Sequence, residues 1–86
     1  EYSKIDEKNF VVDAKVGLKD FYKIIQIEEV EAFEKAKGEA ETLAGFILEI
    51  AQQLPVFGQK IIFEKITFTI ELVDKKSIKQ IKVILP

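Results

Sequence analysis

The sequence predicts an α+β two-layer sandwich, with helices packed on one face of a mostly antiparallel sheet that finishes in a C-terminal β-meander. Apolar residues recur at helical spacing near residues 18–25 and 42–54, then switch to period two from Ile61 onward. Of the 86 residues 48% are hydrophobic, including seven Phe, which suffices for one packed core and leaves no room for two. Residues 1–86 are therefore read as one domain.

Near its start the chain has a polar turn, Asp6 to Asn9, between short runs around Tyr2, Ile5, Phe10 and Val12, and this predicts a small hairpin or two short strands. Leu18, Phe21, Tyr22 and Ile25 then fall at i, i+3, i+4 and i+7 and predict a helix with one apolar face. Gly17 stands at its N-cap, and Asp20 near the start favours the helix dipole. The Glu- and Lys-rich stretch Glu28 to Glu41 separates two differently patterned halves, with a short extra helix expected around Val30 to Lys35. From about Thr42 to Gln53, Leu43, Phe46, Ile47, Ile50 and Leu54 form one apolar stripe, and Pro55 stops the helix. At 1.5 Å per residue that helix spans about 18 Å, enough to cross a small sheet.

After the Pro55 to Gly58 turn, Ile61 to Phe63 predicts a short strand. Ile66, Phe68, Ile70 and Leu72 are expected to face the core, with Thr67, Thr69, Glu71 and Val73 on the opposite face. Asp74 to Ser77 is a polar turn, and Ile81, Val83 and Leu85 supply the facing side of a last strand. Ile78 is out of phase with Ile81, so a bulge is expected near Lys79.

Composition excludes several functions. Cys and His are both absent, which removes disulfides, thiolate metal sites, the commonest zinc ligands and the commonest general base. No carboxylate is paired with a base or a metal ligand, so the chain is read as non-catalytic. All thirteen basic residues are Lys, and without the guanidinium fork specific nucleic-acid recognition is not expected. No apolar run approaches the roughly 20 residues of a membrane span. The chain begins at Glu1 with neither Met nor the layout of a signal peptide, and is expected to be a fragment excised from a larger protein. Net charge is −2, with the acidic excess confined to residues 1–43.

One set of residues carries more than periodicity. Glu41-Thr42-Leu43-Ala44-Gly45-Phe46-Ile47-Leu48-Glu49, then Leu54-Pro55 and Gly58, then Phe68-Thr69-Ile70-Glu71, Asp74, Ile78 and Ile81-Lys82-Val83, resembles the CorC/HlyC transporter-associated domain. Phe10-Val11-Val12-Asp13 extends the resemblance to nearly the whole chain. The sequence departs from the family pattern at Ala14 to Val16, which separate Asp13 from Gly17, and in the length of the Glu28 to Glu41 stretch. Gly38-Glu39-Ala40-Glu41 before Thr42 also resembles the gliding-motility-associated branch.

The resemblance implies a non-catalytic, regulatory C-terminal domain at the cytoplasmic face of a hemolysin-like or magnesium and cobalt efflux membrane protein. The implied partners are the CBS and membrane domains of its parent chain, or a second copy in a homodimer. The family assigns this domain no catalytic residues. Its fold is grouped with one half of certain FAD-binding domains, so the alternative function is a small-ligand module for FAD or an adenine nucleotide. The sequence has no Gly-rich phosphate loop, so FAD rests on fold analogy alone and no cofactor is expected.

Several residues invite a functional reading beside a structural one. Thr42 and Gly45 are the cofactor-binding candidates, because a hydroxyl and a bare backbone at a helix start can hold an anion. They also suit a helix cap and a close backbone approach. Glu28, Glu29, Glu31, Glu34, Glu39 and Glu41 lack the converging loop of a cation site and are read as solvated surface, with no metal expected. Lys75, Lys76, Lys79 and Lys82 suit either anionic lipid headgroups or protection of an edge strand. Phe57, in its turn, either is an exposed contact or folds back onto the core. The interaction candidates are thus Phe57, Lys75, Lys76 and Lys79.

Overall fold

In the computed structural model, which describes all 86 residues, eight elements follow the chain. They are β1 (Tyr2–Lys4), β2 (Asn9–Asp13), α1 (Leu18–Ile25), α2 (Glu31–Ala36), α3 (Leu43–Ala51), β3 (Lys60–Phe63), β4 (Ile66–Val73) and β5 (Ile78–Ile84). The strands form one sheet in the order β1-β2-β5-β4-β3, and every neighbouring pair is antiparallel. The three helices pack on one face of it, as the sequence predicts.

β3, β4 and β5 make the expected meander, and the N-terminal hairpin adds to the free side of β5. The last strand is therefore interior to the sheet. This corrects one expectation, since Lys79 and Lys82 lie on a strand paired on both sides and Lys75 and Lys76 on the turn leading into it. The exposed edges are β1 and β3. Tyr2 on the outermost strand β1, and Ile5 just after it, are exposed.

α1 begins after Gly17 and buries Leu18, Phe21, Tyr22 and Ile25, the stripe its spacing predicts. α2 forms where a short helix is expected, and sends Phe33 from the acidic stretch into the core. α3 stops at Ala51, two residues earlier than the stripe suggests, because Gln52 turns left-handed at φ 69°. Its nine residues give a length of about 14 Å.

Backbone bonds tie the two layers together. Leu18 donates its N–H to the Glu41 carbonyl at 2.9 Å, and Leu43 donates to Val16 at 2.9 Å. Fully buried Ala14 accepts from Ala44 at 2.8 Å and donates to the Lys79 carbonyl at 3.0 Å, joining the start of α3 to β5.

The register between β4 and β5 breaks near that junction. Ile70 pairs with Ile81, Leu72 with Gln80 and Val73 with Ile78, so Glu71 on β4 and Lys79 on β5 are each extra residues. The bulge expected near Lys79 is present, and it has a counterpart on the facing strand. Its consequence on β4 reverses the expected phase, since Leu72 is exposed while Val73 packs against the core.

On the sheet face without helices, Thr69 is only 7% exposed, and its Oγ1 is buried with no hydrogen-bond partner. Its cross-strand neighbours are Lys60 and Lys82. Thr69→Val exchanges the orphaned hydroxyl for a methyl of the same shape. It is expected to raise stability by about 1 kcal/mol in urea denaturation.

Candidate docking surface

One end of the sheet gathers most of the sequence-predicted interaction residues. β4 runs out there at Val73, β5 starts at Ile78, and the turn before β3 joins the same end. Gly58 donates to the Ile70 carbonyl at 2.7 Å, and Ile70 donates to the Gln59 carbonyl at 3.0 Å. The turn closes on itself, with Gln59 N–H bonded to the Val56 carbonyl at 3.1 Å and Val56 N–H bonded to Gln59 Oε1 at 3.0 Å. Gly58 supplies the left-handed backbone, φ 82°, that this turn requires.

With Pro55 buried beneath it, the turn holds Phe57 in solvent at 73% exposure and Val56 at 67%. Leu72, two residues beyond the Ile70 bond on β4, is 54% exposed. Large apolar side chains gathered at one end of a sheet, beside a charged turn, have the composition of a contact surface. Phe57 was singled out by the sequence. Val56 and Leu72 were not: Val56 is signalled only by sharing the turn, and Leu72 was hidden by the bulge.

The Asp74 to Ser77 turn lies alongside. Asp74 Oδ1 accepts from the backbone N–H of Lys76 at 2.9 Å and of Ser77 at 2.8 Å. Those two bonds, with the nearby Lys79 ammonium, hold the Asp74 carboxyl below its ordinary range. Lys79 Nζ sits 3.5 Å from Asp74 Oδ2 and is thereby tethered, whereas Lys75 and Lys76 have no carboxylate within ion-pair distance. Two free ammonium groups thus stand beside the apolar patch.

Thr42 and Gly45 belong to the cap of α3. Thr42 Oγ1 accepts from Gly45 N–H at 3.0 Å, and the Thr42 carbonyl accepts from Phe46 N–H at 2.9 Å. The N–H groups of Leu43 and Ala44 are taken by Val16 and Ala14, so the first turn has no donor left for an anion. A Cβ at position 45 would come within 3.1 Å of Ala40 Cβ and 3.3 Å of Thr42 Oγ1. Gly45 therefore lets the loop between α2 and α3 close over the helix start.

The space between helices and sheet, where the small-ligand alternative would seat its ligand, is filled by the apolar core. No three carboxylates converge in a geometry that could hold an ion. Glu34 of the acidic stretch instead accepts a 2.7 Å bond from the Tyr22 hydroxyl. Burial, and secondly this bond to Glu34, raises the phenol above its ordinary value. A cleft of about 530 Å³ beside α1 is lined by Lys19, Asp20, Glu34, Lys37 and Glu41, so it carries charges of both signs.

The fold has known relatives. The model of the CorC_HlyC family, described as the transporter associated domain, matches residues 3–86. The transporter associated domain of a CBS domain protein from Porphyromonas gingivalis superposes with a TM-score of 0.85 at 28% identity, covering 98% of this chain and 95% of that one. A region associated with a putative Mg2+ and Co2+ transporter, CorC, of Neisseria meningitidis MC58 superposes at 0.82 with 18% identity, over 99% and 98% of the two chains. A CorC_HlyC domain from a Xylella fastidiosa Temecula1 hemolysin, solved in complex with Mg++ and Mn++, gives 0.78 at 14% identity over 99% and 96%. The latter two likenesses are of fold. No curated protein matches the chain. No helix is long and apolar enough to cross a membrane. With the family pattern running through nearly every residue and the fold shared throughout, this chain belongs to the CorC_HlyC transporter associated domain family.

Proposed function

We propose that the chain is a non-catalytic accessory domain of a CBS-containing membrane transporter, of the magnesium and cobalt efflux type. It works at the cytoplasmic face by docking on other domains of its parent. The observation that carries this reading is the exposed patch of Val56, Phe57 and Leu72 beside the free Lys75 and Lys76. The Porphyromonas gingivalis relative, from a CBS domain protein, supports the choice of partner. Docking regulates transport if the patch meets its partner in one transport state and not in the other, because the contact free energy then biases the equilibrium.

In the full-length parent, deleting residues 1–86 is expected to change the transport rate or its nucleotide dependence. Phe57→Lys combined with Leu72→Lys should reproduce the deletion while shifting stability by no more than about 0.5 kcal/mol per site, since both side chains are solvated. A double variant that transports and responds to nucleotide like the wild type would sink the docking reading. Titrating the isolated chain with FAD separates the alternative, because a small-ligand module would quench flavin fluorescence and keep doing so in the double variant.

A further inference from the structure

We propose that two copies of this chain pair through the free edge of β3, antiparallel, about a two-fold axis passing through Ile62. The inference concerns the β3 edge and does not depend on the transport role.

Glu64 and Lys65, at φ 52° and 68°, form a two-residue turn that closes the Phe63–Ile66 pair. Hydrogen bonding alternates along such a hairpin, and the Ile70 to Gln59 bond continues the same series. The backbone N–H and C=O groups of Lys60 and Ile62 therefore point away from β4, towards the side of β3 where no strand lies. Ile62 is also 70% exposed on the helix-free face, an unusual setting for a β-branched apolar residue on a sheet edge.

The edge is self-complementary. Placing Ile62 opposite Ile62 of a second copy keeps the helices of both copies on one side of a continuous sheet, because residues of like parity then face each other. The same register puts Lys60 opposite Glu64 of the second copy, twice, and Ile61 opposite Phe63, twice. Neither Lys60 nor Glu64 has an ion-pair partner within its own chain. Ile61 and Phe63 already pack against the core, so the second pairing extends the apolar layer across the axis. The arrangement is isologous and closes as a dimer. β1, the other edge, carries Lys4 as its only charge and offers no such match.

A four-residue strand covers far less than the roughly 1,200 Å² or more of a stable interface, so the dimer is weak and depends on concentration. The chain contains no Cys, which makes single-Cys variants specific reporters. In the proposed register position 62 faces itself in a hydrogen-bonded pair, with Cα atoms about 5.5 Å apart and within disulfide reach. Positions 60 of the two copies stand about 13 Å apart along the strand.

Under mild oxidation at high protein concentration, Ile62→Cys is expected to form a reducible dimer, and Lys60→Cys to remain monomeric. Sedimentation equilibrium of the unmodified chain should show reversible association. Glu64→Lys should weaken it about tenfold by setting like charges opposite each other, and adding Lys60→Glu should restore it. Equal cross-linking at positions 60 and 62, a strictly monomeric chain, or association indifferent to Glu64→Lys would each overturn the proposal. Circular dichroism of each variant separates loss of pairing from loss of fold.

Discussion

Replacing Phe33 by Ala is expected to cost about 3 to 5 kcal/mol, a large part of the roughly 5 to 15 kcal/mol that holds a domain together. Phe33 comes from a six-residue helix in the most highly charged part of the chain, yet it is fully buried. Its ring lies 4.9 Å from Phe63, 5.1 Å from Phe46, 5.6 Å from Tyr22 and 6.3 Å from Phe21, centroid to centroid. It thus touches α1, α3 and β3 at once, with edge-on geometry towards Phe63, Tyr22 and Phe21. Removing it leaves a cavity that four rigid rings cannot collapse into. It also frees α2, which is too short to persist without tertiary packing. Chemical denaturation measures the loss, and Phe33→Leu, which keeps most of the volume, should recover more than half of it. A cost of about 1 kcal/mol or less would show that α2 is not docked through this ring.

The same residue marks where sequence reading succeeds and where it stops. Period-two runs after Ile61 and the i, i+3, i+4, i+7 stripe from Leu18 are local signals, and the elements they predict are present with nearly the expected bounds. The charge of residues 28–41 is equally local, and it does describe solvated side chains. It conceals Phe33, because one large apolar residue in six has no periodicity to detect. Sheet order is not local at all. Nothing near Lys79 or Lys82 says that the hairpin of β1 and β2, about seventy residues earlier, pairs with β5 and turns a supposed edge into the interior. At the docking surface the sequence singles out Phe57 and the lysines, but leaves Phe57 balanced between solvent and core. The choice falls to the Val56–Gln59 hydrogen bonds, which only the folded turn displays.

Ile78→Ala is expected to cost about 2 to 5 kcal/mol, while Leu72→Ala costs no more than about 0.5 kcal/mol. Strict alternation along β4 argues the reverse for Leu72, since it continues the buried series Ile66, Phe68 and Ile70. The two extra residues decide the matter. Glu71 shifts β4 by one position, so Leu72 leaves the core side and Val73 enters it. Lys79 makes the matching shift on β5, so Ile78 reaches the core although it stands three residues from Ile81. Ile78 is 2% exposed against 54% for Leu72, and truncation opens a cavity only in the first case. The bulge also presents the Lys79 carbonyl to Ala14, so the residue that breaks the register anchors the start of the helical layer. Deleting Glu71 and Lys79 together would restore continuous pairing while losing that anchor, and would keep Leu72, then directly after Ile70, on the outer face. Urea denaturation of the three variants tests the arrangement. A larger cost for Leu72→Ala than for Ile78→Ala would mean that the strands pair in unbroken register and that Leu72 is absent from the docking surface.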